Sequence, residues 1–190
     1  MEKSKLIFVN FIAEINDKTS SLLMFLLTEQ LRSGMNNFRI NISSGGGMVF
    51  HAVALYNFLS GLKDVYLHTH NLGQIDSAAN LIFLAGQQRT ASKASSFLLH
   101  PPKMGFQAQG MVQFSLQDLK ERTLGLEKDE RKIAEIIATR LNKDTQSILQ
   151  MFERRETHSS EEAKNLGFIH SIEEFVAEPG TPIFTITNQA

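Results

Sequence analysis

The sequence predicts an α/β domain, and three observations carry that prediction. Through the first two thirds of the chain short β-rich runs alternate with helical runs, an order that calls for parallel strand pairing with helical crossovers. Glycine-containing junctions, "SSGGGM" and "NLGQIDSAAN", lie between a strand and a helix. From Ser115 onward the pattern changes to one amphipathic run of about seven helical turns.

In chain order, "KLIFVNF" reads as the first strand, and a helix from Thr19 to Ser33, ending at Gly34, carries the apolar run "SSLLMFLLTEQL". "FRINIS" is the second strand, Met48 to Ser60 a helix stopped at Gly61, and "DVYLHTH" the third strand, followed by a helix opening at Ser77. Two short strands near "QRTA" and "SSFLLH" come after Gly86, too closely spaced for a crossover helix. The helix over about residues 115–141 opens on Ser115 and Asp118, a capping pair, and interleaves Leu116, Leu119, Leu126, Ile133, Ile136 and Ile137 with charges. It reads as a long protruding element whose stripe is expected to be buried between subunits, with Ile133 and Ile137 in that contact. "SSEEAKNLG" has a fuller helix signature: Ser159 as cap, Glu162 three positions on, and Gly167 as the stop. Residues 1–178 thus form one domain. The tail 179–190 turns at Pro179-Gly180 and adds one short alternating strand, with mobile last residues.

Composition narrows the function. With 190 residues, 42% of them hydrophobic, the chain holds one ordinary core. Lys+Arg (19) nearly balance Asp+Glu (20), which leaves no basic footprint for nucleic acid or an anionic membrane. The absence of cysteine excludes disulfides, thiolate catalysis and cysteine zinc sites, and a cytoplasmic location is expected. No apolar run is long enough for a membrane span.

Ser77 invites two readings. Asp76 or Ser77 is a good helix cap for the buried run that follows. Alternatively Ser77 is a nucleophile. In an α/β sheet the functional crevice lies beyond the carboxyl ends of the strands, so the Gly45–Gly47 loop and the Ser77 turn open on the same edge. The glycine loop is either a tight turn or a set of uncovered N–H groups at a helix start, able to hold an anion. It lacks the spacing and lysine of a phosphate loop. With the Ala78 N–H it would give Ser77 two converging donors. Among six histidines, His100 ends a strand just before Pro101-Pro102, at the sheet's edge; a structural ring and a catalytic base are both compatible with that position. His68 and His70 share a strand face but have no clear third ligand, so neither a metal nor a cofactor is expected.

These segments resemble the proteolytic subunit of the Clp protease, in the Clp/crotonase fold. "INISSGGGMVFHAVALYNFL" is similar to its glycine loop and helix, "GQIDSAANLIFLAG" to its nucleophile segment, "SSFLLHPP" to its histidine segment and "SSEEAKNLGFIHSI" to its closing helix and strand. The matches run in order over about residues 5–175. The resemblance implies repeated ββα units with a long handle helix, and a serine endopeptidase cutting unfolded proteins or peptides inside an oligomeric chamber. It implies Ser77 as nucleophile, His100 as general base, the Gly47 and Ala78 N–H groups as oxyanion hole, and a homo-oligomeric ring of the stacked kind.

Three departures stand out. The family's catalytic aspartate aligns with Arg155, which leaves the adjacent Glu156 as candidate third member and Glu153 as fallback, or a Ser77-His100 dyad. Few residues precede the first strand, so docking of an ATPase unfoldase is left open. Asp76 is a charge where the family has a small residue; it disfavours a nearby oxyanion unless it points away or steadies the histidinium. A catalytically weak ring subunit is therefore the alternative. An acyl-CoA enzyme of the crotonase branch fits less well, because such sites use carboxylates rather than a Ser/His pair.

Overall fold

The computed structural model describes residues 6–105, 113–177 and 179–189. Its strands are β1 (Leu6–Ile12), β2 (Asn37–Ser44), β3 (Tyr66–Asp76), β4 (Gln88–Ala91), β5 (Ser96–Leu98), β6 (Thr157–Ser159), β7 (Ser171–Ile172) and β8 (Ile183–Thr187). They join in one sheet of order β6-β5-β3-β2-β1-β8, with β4 pairing β3 and β7. Every pairing is parallel except β5 with β6. Lys5, at the head of the expected first strand, lies outside the described residues, as does Ala190 among the last residues expected to be mobile. The segment set apart as a C-terminal tail supplies β8, the sheet's outer strand beside β1.

The helices are α1 (Asp17–Arg32), α2 (Val49–Gly61), α3 (Ala79–Leu84), α4 (Leu116–Leu141), α5 (Thr145–Arg154) and α6 (Ser160–Leu166). Helix α1 starts earlier than Thr19, because Asn16 is the cap: its side chain accepts from the Thr19 N–H at 3.0 Å, and the Thr19 hydroxyl accepts from the Asn16 N–H at 3.1 Å. The capping boxes expected at Ser115/Asp118 and Ser159/Glu162 are formed, and Gly167 ends α6 in the left-handed conformation. Helix α5, capped by Asp144 and burying Ile148 and Phe152 at i, i+4 spacing, has no counterpart in the sequence reading.

The core lies between the sheet and its helices. Leu23 and Leu27 of α1, Leu55 and Leu59 of α2 and all six residues of α3 are buried against Phe11, Phe38, Ile40 and Ile42. Helix α4 is divided. Ile133, Ala134, Ile137 and Ala138 are buried in the chain's own core, and Arg140 donates to the Leu84 and Gly86 carbonyls at 2.7 and 2.9 Å, tying the helix to the end of α3. Leu116, Leu119 and Leu124 at its other end are exposed. Ile133 and Ile137 therefore belong to the fold rather than to a subunit contact.

One face of the sheet is polar. The His68 Nε2 and His70 Nδ1 both lie 2.7 Å from the Thr90 hydroxyl. Burial, with Arg39 adding its positive charge, pushes His68 down to about 4 and His70 to about 3. Unfolded imidazoles bind protons below about pH 6.5 while these folded ones remain neutral, so acidification from there towards pH 4 removes stability. The thermal midpoint should fall steadily through this window. In a His68→Asn/His70→Asn variant the decline should be shallower, and an equally steep decline would contradict the assignment.

Candidate active site

Strand β3 runs past His70 to Asp76 because its second half pairs with β5, with Asp76 opposite Leu98. There the chain turns sharply. Ser77 has φ +54°, a left-handed conformation that non-glycine residues seldom adopt without surrounding support. Support comes from two sides: the Ser77 N–H donates to the Leu98 carbonyl at 2.9 Å, and the buried Asn80 amide donates to the Ser77 and Leu98 carbonyls at 2.9 and 3.0 Å. Helix α3 begins only at Ala79, with Ala78 at its N-cap and no side-chain cap bond. The cap reading of Asp76 and Ser77 thus gives way to an elbow holding a half-buried serine. Asn80 was missed in the sequence; an amide three residues beyond the serine was the available signal.

The glycine loop closes on this elbow. Ile15 clamps it, donating its N–H to the Gly46 carbonyl and accepting from the Met48 N–H, each at 2.8 Å. A Cβ on Gly46 would stand 2.9 Å from the Asp76 carbonyl oxygen and 3.1 Å from the Ala78 nitrogen, so loop and elbow backbones are in contact. Gly47 has φ +144°, and a Cβ there would overlap the Ile15 backbone. Replacing Gly47 by valine would therefore disturb the link between β1 and α1 as well as any bound anion. Among the described residues, neither the Gly47 N–H nor the Ala78 N–H has a protein partner. Ala78 follows Ser77 directly, and Gly47 follows Gly46, the glycine that touches the elbow.

His100 follows β5 and the buried Leu99. Its Nδ1 lies 2.7 Å from the Pro101 carbonyl oxygen. A carbonyl only accepts, so Nδ1 carries the hydrogen and Nε2 of the neutral ring is left as the base. No hydrogen bond joins this ring to the Ser77 hydroxyl. Antiparallel β6 sets Thr157 opposite Leu98, the last pair of that ladder; Arg155 lies two residues ahead of β6 and His100 two residues beyond β5. Arg155 is the left-handed C-cap of α5 (φ +52°). Glu153, Arg155 and Glu156 are exposed, and no carboxylate is within ion-pair distance of His100 among the described residues.

Asp76 is also beyond ion-pair distance of His100 but, unlike the others, is not exposed. It is half-buried beside Ser77; burial raises its carboxyl above the usual range, and the charge of His100 pulls it back.

The sequence model of the Clp protease family matches residues 1–175. The chain belongs to the Clp protease family. Among solved structures it resembles a point mutant of ClpP1 from Listeria monocytogenes, with TM-score 0.75 and 20% identity over 90% of this chain and 92% of that one. That likeness gives the ClpP fold, here with an eight-stranded sheet and six helices among the described residues. The Clp protease family is one of peptidases, so peptide-bond hydrolysis is the chemistry against which the Ser77 elbow is read. No described helix of this Clp protease relative is long and apolar enough to cross a membrane.

Proposed function

We propose that this chain is a serine endopeptidase acting on unfolded polypeptides inside a homo-oligomeric chamber. The observation that carries the reading is the Ser77 elbow, a left-handed serine with the glycine loop packed against it at Gly46 and with unpaired N–H groups next in the chain at Gly47 and Ala78. Ser77 Oγ attacks the substrate carbonyl while His100 Nε2 takes its proton. The Gly47 and Ala78 N–H groups stabilise the oxyanion; His100 then protonates the leaving amine, and water releases the acyl group. The reacting pair is Ser77 with His100. Glu156, the candidate third member, is exposed, and reaching His100 would require the Arg155 turn to move.

The alternative, a catalytically weak ring subunit, is favoured by Arg155, the residue that aligns with the family's catalytic aspartate, and by the absence, among the described residues, of a carboxylate within ion-pair distance of His100. Incubation with a fluorophosphonate followed by intact mass separates the two. A single adduct absent from Ser77→Ala supports the peptidase; no adduct on the folded assembly supports the structural subunit. A cysteine-free chain suits a reducing, cytoplasmic setting, and docking of an ATPase stays outside this proposal.

Assembly is expected to use the free end of α4, where Leu116, Leu119 and Leu124 are 69%, 49% and 54% exposed. A Leu119→Glu/Leu124→Glu variant should keep its denaturation midpoint yet lose mass in light scattering. An unchanged assembly mass would exclude this surface.

A further inference from the structure

A triad acid has two duties: it fixes the histidine tautomer, and it stabilises the imidazolium formed when the serine loses its proton. We infer that these duties are divided here, the Pro101 carbonyl holding the His100 tautomer and the Asp76 carboxylate serving as counter-ion to the His100 imidazolium. The inference rests on the Ser77–His100 reading and assigns Asp76 as a positioning residue for it.

The geometry starts from the sheet. Asp76 and Leu98 are register partners in the parallel β3/β5 pair, so their side chains share a face. Ile75, Phe97 and Leu99 point to the buried side, at 0%, 1% and 1% exposure, while Asp76, Leu98 and His100 alternate with them and are half-buried. Asp76 thus shares the Leu98 face of the β3/β5 pair, and the alternation of burial through Leu99 carries that face on to His100, two residues past β5. Thr157 is the register partner of Leu98, and Glu156, one residue ahead of β6, is exposed. The other charges at this edge are Arg155 and Glu156 ahead of β6 and Lys103 beyond His100, all exposed. Burial weakens solvent screening of Asp76, which favours it over them as counter-ion.

The proton passes from Ser77 Oγ to Nε2 as the serine oxygen bonds to the carbonyl carbon. Both ring nitrogens then carry hydrogen. Nδ1–H still donates to the Pro101 carbonyl, and the new positive charge faces the Asp76 carboxylate. When the C–N bond breaks, Nε2 returns that proton to the amine.

Because the tautomer is held by backbone, losing the carboxylate should cost much less than the roughly ten-thousandfold of a full triad acid; about tenfold to a hundredfold is expected. The test measures kcat/KM on a peptide ester against pH, wherever the circular dichroism spectrum is constant. Asp76→Asn should lower the plateau by that factor and move the acidic limb to lower pH, since a less stabilised imidazolium sheds its proton more readily. Asp76→Glu should restore most of the parent profile, and Glu156→Gln should match the parent. An unmoved acidic limb in Asp76→Asn, whatever its plateau, would reduce Asp76 to a structural role and overturn the inference, as would a loss confined to Glu156→Gln. A parent chain with no Ser77-dependent turnover and no fluorophosphonate adduct would instead remove the Ser77–His100 reading, and this inference with it.

Discussion

Ser77→Ala and His100→Ala are each expected to reduce turnover of a peptide ester by on the order of a million-fold, the scale seen when either member of a serine–histidine pair is removed. The two residues act as one device, since the hydroxyl without the ring keeps its proton and the ring without the hydroxyl has nothing to activate. The double variant should therefore be no worse than either single one. Residual turnover should come from the Gly47 and Ala78 donors and from substrate binding. The substitutions are mild structurally: alanine at Ser77 meets the same left-handed backbone, still pinned by the Leu98 carbonyl and the Asn80 amide. Steady-state rates on one ester decide the matter. Ser77→Ala within tenfold of the parent would mean that the elbow is not the nucleophile.

Phe97→Ala is expected to remove about 4 kcal/mol of stability, within the range for emptying a buried phenyl site. Phe97 is 1% exposed, and its ring lies 5.2 Å from that of Phe83 and 5.9 Å from that of Phe168, joining α3, β5 and the turn after α6. Domain stabilities run from about 5 to 15 kcal/mol, so this loss takes a large share. Catalysis should suffer too, because Phe97 anchors the strand from which His100 extends. Urea denaturation followed by circular dichroism measures the effect, with Phe97→Leu as a smaller perturbation that leaves less of a void. A loss below about 1 kcal/mol would show that the site collapses and that the three rings do not act as a unit.

The elements legible in the sequence are those whose stabilising contacts are local. Ser115 with Asp118, and Ser159 with Glu162 and Gly167, declare their helices because each cap bond closes within three residues. Asn16 with Thr19 works in the same way, yet its helix was begun late because the apolar run drew more notice than the cap. Helix α5 escaped although its signals are just as local: the Asp144 side chain accepts from the Ser147 N–H, and the buried Ile148 and Phe152 are spaced i, i+4. The stripe of α4 was visible, but its division was not. Whether Ile137 meets this chain's core or another subunit depends on where the helix lies, and Arg140 reaching back to the Leu84 and Gly86 carbonyls helps to set that.

The site divides similarly. By itself the sequence determined the α/β alternation, the glycine loop after β2 and the presence of Ser77 and His100 at strand ends, because periodicity and residue type carry that information. It left Ser77 open between cap and nucleophile. The tertiary structure decided for an elbow, since the bond that bends the chain there comes from Leu98 on another strand. It also paired β5 with β6 so that Leu98 meets Thr157, turned Nδ1 of His100 to the Pro101 carbonyl, and set Asp76 opposite Leu98 on one face. Those outcomes depend on pairing between strands far apart in the chain, and a one-residue change of register would put the opposite set of side chains on that face.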